Sequence, residues 1–169
     1  MDRVTFHASL VGLAIAVTAQ PAIGQAQMSK SDARQICILM HEASYSDAGF
    51  AGSLAANGNV IAGCLIAEVS RHNPGSMRAE AASALVQTIA TANPPLDPQI
   101  SQRARETVLK ALRDKSVEVR VATITAMADF GDQSMVPQLE SVAKSDPVLS
   151  LRDYTALAIT RMCKRLAGS

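Results

Sequence analysis

Residues Asp114–Gly131 read DKSVEVRVATITAMADFG, and a partial copy, DPVLSLRDYTALAITRMC, follows at Asp146–Cys163. In both copies an Asp lies six residues before an Arg, and small or apolar residues follow that Arg at the third, fourth, sixth and seventh positions. A weaker copy surrounds Arg78. A helical pattern that recurs along a chain indicates a repeat protein, so we predict the architecture from these copies.

Hydrophobic spacing and capping residues predict three consecutive helix pairs. The pairs are 60–71 with 77–91, 99–113 with 116–130, and 134–144 with 148–166. A further helix is expected over about 29–42, and the Gly-, Ala- and Ser-rich stretch 43–59 is interpreted as an irregular connection. No segment has the pattern of a strand, so the predicted fold is all-α.

The second helix of each pair begins with an apolar residue followed by Arg. This pattern resembles the HEAT repeat, especially the short HEAT-like repeats of bilin-lyase relatives. The matching residues are Asp114 to Arg120, Gly131-Asp132, Val136-Pro137 with Leu139, and Asp146 to Arg152. The resemblance implies a short α-solenoid of about three antiparallel helix pairs plus an N-terminal helix, in which stacked pairs share one core.

The repeated Asp and Arg residues are predicted to form a structural ladder. Asp114 and Asp146 are expected to cap the second helix of their own pair. Arg120 and Arg152 are expected to reach a neighbouring turn and bind an Asp or a backbone carbonyl there. The alternative is that the guanidinium groups lie in solvent, where each contributes less than about 1 kcal/mol.

The first 26 residues have the three-part pattern of a secretory signal. Arg3 precedes the uncharged run Ala8–Ala19, which is too short to cross a bilayer because a span needs about 20 apolar residues. Gly24 and Ala26 are the small residues before the expected cleavage site. We expect residues 1–26 to be a signal peptide, 27–59 the N-terminal helix and connection, and 60–169 the repeats. The mature protein is then periplasmic or secreted, with no membrane span.

Export has a consequence for the three cysteines. Cys37 and Cys64 lie on adjacent predicted helices and would enter an oxidising compartment. Either they form a disulfide, or they are two buried thiols on apolar faces. Cys163 is expected to be buried in the last helix.

Several function classes are disfavoured. The net charge is +1 and aromatic residues make up 3% of the chain, so neither a basic field nor a stacking platform for nucleic acid is expected. His41-Glu42 lacks the second His of a zinc-binding helix, and no nucleophile elbow or phosphate loop occurs. We therefore predict no enzymatic activity, no metal and no cofactor.

Three functions remain open, of which the third is a purely structural spacer. The first is an exported, non-enzymatic scaffold that holds an unidentified protein partner on a concave helical surface. Positions one, five and eight after each repeat Arg point away from the predicted core but are mostly small or apolar, which marks candidate partner-binding residues. They include Val86, Val121, Thr125 and Leu157. The second, implied by the resemblance, is a cofactor- or chromophore-handling protein of the bilin-lyase HEAT type. The pattern does not identify the partner or the oligomeric state.

Overall fold

The computed structural model describes Cys37 and residues 48–168, and it describes residues 48–56 by their backbone alone. The predicted signal peptide and most of the helix expected at 29–42 lie outside the described residues.

Six α-helices and one short 3-10 helix form the described part of the chain. They are α1 (Ala48–Ser70), α2 (Gly75–Thr91), α3 (Pro98–Ala111), α4 (Val117–Phe130), the 3-10 helix Gln133–Met135, α5 (Val136–Ser145) and α6 (Leu149–Ala167). These residues contain no strand, and the all-α prediction is confirmed.

Helix α1 begins well before the predicted helix at residue 60. It extends back to Ala48, and only Asn57 leaves the helical region, with φ −129° and ψ 29°. The interpretation of 43–59 as an irregular connection is therefore wrong from residue 48 onward. Gly and Ser in this stretch lower helix propensity, but it contains four Ala residues and no Pro, so nothing in it blocks the backbone from a helix.

The Pro-rich linker after α2 packs against α1 at Gly58 and Asn59. A Cβ atom on Gly58 would lie 3.0 Å from Leu96 Cδ2 and 3.1 Å from Ala92 Cβ, so a side chain there would push these two neighbours outward. Asn59 Oδ1 accepts a hydrogen bond from the backbone N–H of Asp97 at 2.8 Å. Asp97 in turn caps α3 by accepting from Gln99 N. These contacts fix the linker that joins the first helix pair to the second.

The helices pack as antiparallel pairs in two layers. In the first layer α1 contacts α3, while in the second α2 contacts α4 and α4 contacts α6. Contacts between α1 and α2 and between α5 and α6 join the layers. The core between them consists of small and aliphatic side chains, such as Ala81, Leu85, Ile124, Met127 and Leu139, which are fully buried.

On the second helices α2, α4 and α6 we number positions from the repeat Arg, which is Arg78, Arg120 or Arg152. These positions fall on three faces of each helix. At roughly 100° per residue, positions three, six and ten face the first helix of the same pair. Positions four, eight and eleven lie on the same side as the Arg and face the next repeat. Positions one, two, five and nine face outward.

The close packing of α4 on α6 gives a test through two glycines. Gly131 is buried, and a Cβ there would lie 2.4 Å from the Met127 carbonyl oxygen and 3.1 Å from Met162 Cε. We expect Gly131→Ala to destabilise the protein by about 1–3 kcal/mol through overpacking. A Cβ atom added to Gly63 in α1 would instead meet no other atom within 4 Å. Gly63→Ala should therefore stabilise by about 0.5–1 kcal/mol, since Ala is the better helix former. Urea unfolding of both variants measures the difference, and two effects of the same sign would contradict this packing.

Candidate functional site

The first repeat junction is a bidentate ion pair between α2 and the loop before α4. Arg78 Nε donates to Asp114 Oδ2 at 3.1 Å, and Arg78 Nη2 donates to Asp114 Oδ1 at 2.7 Å. Arg78 Nη1 also donates to the Asn73 carbonyl. Asp114 Oδ1 accepts from the Ser116 backbone N–H at 2.8 Å. One carboxylate therefore binds the preceding repeat and shapes the loop that starts its own helix.

The second junction repeats this arrangement one helix pair later. Arg120 Nε and Nη2 donate to Asp146 Oδ2 and Oδ1 at 2.8 and 3.1 Å. Both side chains are almost completely buried, with 6% and 3% of their surface exposed. Arg120 Nη1 donates to the Asp114 carbonyl at 2.8 Å, and Asp146 Oδ1 accepts from Val148 N at 2.8 Å. The two junctions thus use the same atoms of the same residue types.

Arg152, the third Arg of the series, lies at the end of the stack. Its Nε donates to the Asp146 carbonyl at 2.5 Å, which is the interaction that Nη1 makes in Arg120. Within the described residues it forms no ion pair with a carboxylate. We refer to Arg78, Asp114, Arg120, Asp146 and Arg152 together as the Asp–Arg ladder.

The ladder holds its carboxylates in the charged form. Burial alone would raise the pKa of Asp146, but the hydrogen bonds from Arg120 and Val148 N and the positive charges of Arg120 and Arg152 outweigh it and lower the pKa. The pKa of Asp114 is lowered in the same way, by Arg78 and the Ser116 N–H acting against burial. Each carboxylate therefore stabilises the fold when it is ionised.

The sequence predicted Asp114, Arg120, Asp146 and Arg152 as ladder residues but did not predict Arg78. Arg120 reaches the neighbouring Asp, but the acceptor of Arg78 was not foreseen, since Arg78 belongs to the weakest copy. The sequence feature that could have identified Arg78 is the pair Met77-Arg78, an apolar residue followed by Arg. Asp114 and Asp146 bind the backbone N–H two residues ahead of them, at the N-cap residues Ser116 and Val148, rather than an N–H inside the helix.

The cysteines divide into a pair and a single thiol. In the structure Cys37 and Cys64 form a disulfide with Cα atoms 5.5 Å apart. Cys163 is a free, exposed thiol, so the expectation that it is buried is wrong. It lies eleven residues after Arg152, on the face that upstream repeats cover with the next helix pair.

A cleft of about 710 Å³ lies between α2 and α4 on their outward faces. Its lining combines small residues with polar ones, including Ala79, Ser83, Gln87, Val121, Ala122 and Thr125. Glu80 and Glu118 also line it, and both are exposed. The hydroxyl groups of Thr125 and Tyr154 are hydrogen-bonded at 2.6 Å, which connects the cleft to α6.

Only some of the predicted partner-binding residues are accessible. Val121 and Thr125 line the cleft and are partly exposed, and Leu157 on α6 is 70% exposed. Val86 is fully buried, so its assignment to a binding surface is wrong. Position eight lies on the edge between the outward face and the face toward the next repeat, and in α2 this position is fully buried.

Metal sites and membrane spans are both absent from the described part of the chain. It contains no group of three His, Cys, Asp or Glu residues placed to hold a metal ion. None of its helices combines the length and apolar character that a membrane span requires.

A protein-family model described as HEAT repeats matches residues 64–160. The chain belongs to the HEAT-repeat family. No curated protein and no solved structure matched it significantly. HEAT repeats generally serve in protein–protein interaction or scaffolding, and the family is typically non-enzymatic. The match begins within α1 and ends within α6, so it includes every junction of the Asp–Arg ladder.

The buried junction predicts a large effect of Arg120→Met. This change leaves the Asp146 carboxylate buried without its cation, which costs about 3–5 kcal/mol of unfolding free energy. A suitable control is Asp129→Asn, which removes an exposed ion pair with Arg161 and should change stability by less than about 1 kcal/mol. Urea unfolding at pH 7 compares the two.

The stability of Arg120→Met should also depend on pH differently from that of the wild type. A carboxylate with a lowered pKa in the folded state stabilises fully above its ordinary value of about 3.9, and this stability is lost as the pH falls through the lowered value. The wild type should therefore lose stability below about pH 4. The loss should be smaller in Arg120→Met, because Arg120 makes the largest of the contributions that lower the pKa of Asp146. Equal stability of Arg120→Met and Asp129→Asn at pH 7 would refute the role given to the junction.

Proposed function

We propose that this protein is an exported, non-enzymatic scaffold that binds a protein partner along the outward faces of α2, α4 and α6. The observation that carries the proposal is the cleft between α2 and α4, together with the exposed Leu157 beside it. We call this region, defined by Glu80, Ser83, Val121, Thr125 and Leu157, the second-helix surface.

The lining of the cleft favours binding of a polypeptide. Accessible helix positions normally carry Lys and Glu, yet the partly exposed positions of α2 and α4 at the cleft hold Ser83, Val121 and Thr125. Small side chains let a partner approach the helix backbones closely. A contiguous accessible area of this kind usually marks an interaction site.

Leu157 extends the surface onto α6. It occupies the same repeat position as Ser83 and Thr125, and the hydrogen bond between Thr125 and Tyr154 fixes α4 and α6 next to each other there. A large aliphatic side chain that is 70% exposed beside a cleft offers an anchor for an apolar group of the partner.

The charges around the cleft define the partner further. Glu80 and Glu118 are exposed at the cleft, and Asp153 is exposed on α6. None of them forms an ion pair within the described residues. A partner segment with apolar side chains and one or two Lys or Arg residues complements this surface, because opposite charges at the rim increase association rate and specificity.

Two observations support export. The first 26 residues have the composition of a secretory signal, and Cys37 and Cys64 are joined in the structure. Disulfides form and persist in oxidising compartments such as the periplasm or the extracellular space. A scaffold outside the cytosol satisfies both.

Aspartate substitutions test the second-helix surface. We expect Val121→Asp and Leu157→Asp to abolish capture of a partner that the wild type retains from a periplasmic extract of the native host, because each buries a charge in an apolar contact. The matched control is Leu109→Asp, at an exposed Leu on α3 in the other helix layer. It should leave capture unchanged.

Thermal unfolding of the same three variants makes the result interpretable. Each midpoint should stay within a few degrees of the wild type, as is usual for surface changes. If Val121→Asp and Leu157→Asp unfold the protein, these side chains belong to the core. If both variants fold and still capture the partner, the second-helix surface is not the binding site.

Export predicts a defined covalent form of the protein in its native host. We expect intact-mass measurement to show a mature chain that begins at Gln27. Non-reducing peptide mapping should find Cys37 linked to Cys64, with Cys163 accessible to an alkylating reagent. A full-length chain with three alkylated thiols would contradict the proposed location.

A further inference from the structure

Helix α6, the last helix that the structure describes, has the features of a repeat junction whose second half is not among the described residues. In the two complete junctions the Arg of one second helix binds an Asp from the loop of the following pair. Arg152 occupies the same position on α6 but binds only the Asp146 carbonyl in its own pair. Its Nη1 and Nη2 groups make no hydrogen bond within the described residues.

The residues around Arg152 follow the same pattern. At position four, Ala82 and Ile124 are fully buried, whereas Ala156 is exposed. At position eight, Val86 and Ala128 are fully buried, whereas Thr160 is exposed. The face that α2 and α4 use to pack on the next repeat is therefore uncovered on α6.

The composition of this face is that of a junction rather than of a solvated cap. We call it the end face and define it by Arg152, Ala156, Ile159, Thr160 and Cys163. Terminal repeats of solenoid proteins require a polar outer side to stay soluble. Here Arg152 is the single charged residue among small or apolar neighbours.

A second copy of this chain does not fit the end face. Arg152 is the charged residue of the end face, so two end faces packed on each other would bring two guanidinium groups together without a carboxylate. Head-to-tail stacking would need an acid at the front of the first repeat. The residue six positions before Arg78 is His72, where the other repeats have Asp114 and Asp146.

We propose that the end face binds a different protein that inserts an Asp or Glu carboxylate, from a loop preceding a helix, into a bidentate contact with Arg152. The carboxylate takes the place that Asp114 has for Arg78 and that Asp146 has for Arg120. Small or apolar residues of the same helix pack on Ala156 and Ile159. This site is separate from the second-helix surface and does not depend on it.

An added repeat of known chemistry serves as the probe. The extended chain consists of residues 1–162 followed by a second copy of residues 131–169. Gly131 then replaces Cys163, which keeps the register because both lie eleven positions after a repeat Arg. The copy of Asp146 is placed where the partner's carboxylate would bind. Urea unfolding of the extended chain should show a single transition, since coupled repeats unfold together.

The decisive measurement is the effect of Arg152→Met in two contexts. In the natural chain it removes one hydrogen bond to a carbonyl and a positive charge near Asp146, and the unfolding midpoint should shift by a small amount. In the extended chain it leaves a buried carboxylate unpaired, and the shift should be at least roughly twofold larger. Equal shifts, or a separate unfolding transition for the added pair, would overturn the proposal. An Asp-to-Asn change in the copy should reproduce the Arg152→Met loss; if it does not, the carboxylate is not recognised.

Two measurements on the natural chain separate the occupants. Light scattering should show no dimer that depends on Arg152, because such a dimer would assign the end face to a second copy and overturn the proposal. A protein captured from host extract through this face should be lost with Arg152→Met and retained with Val121→Asp. It should also be lost when the partner's own Asp or Glu is changed to the amide. If every captured protein still binds to Arg152→Met, and still binds after its own Asp or Glu is changed to the amide, the proposal is wrong.

Discussion

The bidentate contact between the Arg of one repeat and the Asp of the next determines how the helix pairs stack. Each Asp also accepts the N–H at the start of its own helix, and each Arg also donates to a loop carbonyl. Stack register and loop shape therefore depend on the same few atoms. A buried ion pair of this kind adds little net stability compared with apolar residues of equal size. Its effect is on specificity, because a helix pair that slipped along its neighbour would leave Asp146 and Arg120 buried and unpaired.

The small residues of the second helices connect this junction to the proposed binding surface. Ala82 is fully buried on the side of α2 that faces the next repeat, so α2 and α4 can approach closely and Arg78 can span the gap to Asp114. The same preference for small side chains continues onto the outward faces, where it leaves an accessible cleft instead of a layer of long charged residues. Close stacking and a surface open to a polypeptide thus have a common origin in composition.

The sequence allowed the fold to be predicted well because its pattern is repeated. The Asp–Arg spacing and the helical periodicity occur in more than one copy, so pairing and order of the helices could be inferred without any single strong signal. The start of α1 could not be predicted, since Gly and Ser lower helix propensity, yet the helix continues through them back to Ala48. The burial of Val86 could not be predicted either. Position eight lies at roughly 80° from the Arg, where the angle between neighbouring helices decides whether it is covered, and one helix pattern does not contain that angle.

The Asp–Arg ladder is directional, and this explains why the two ends of the stack differ. In each complete junction the Arg of one repeat donates to the Asp of the next pair, so among the described residues an Arg is unmatched at one end of the stack and an Asp position at the other. In this chain the exposed His72 stands at the second of these positions, so no carboxylate there needs a cation. No such replacement has occurred at Arg152, and the neighbouring Ala156 and Ile159 keep the character of packed residues. One end of the ladder is thus closed by composition, while the other retains the chemistry for another carboxylate.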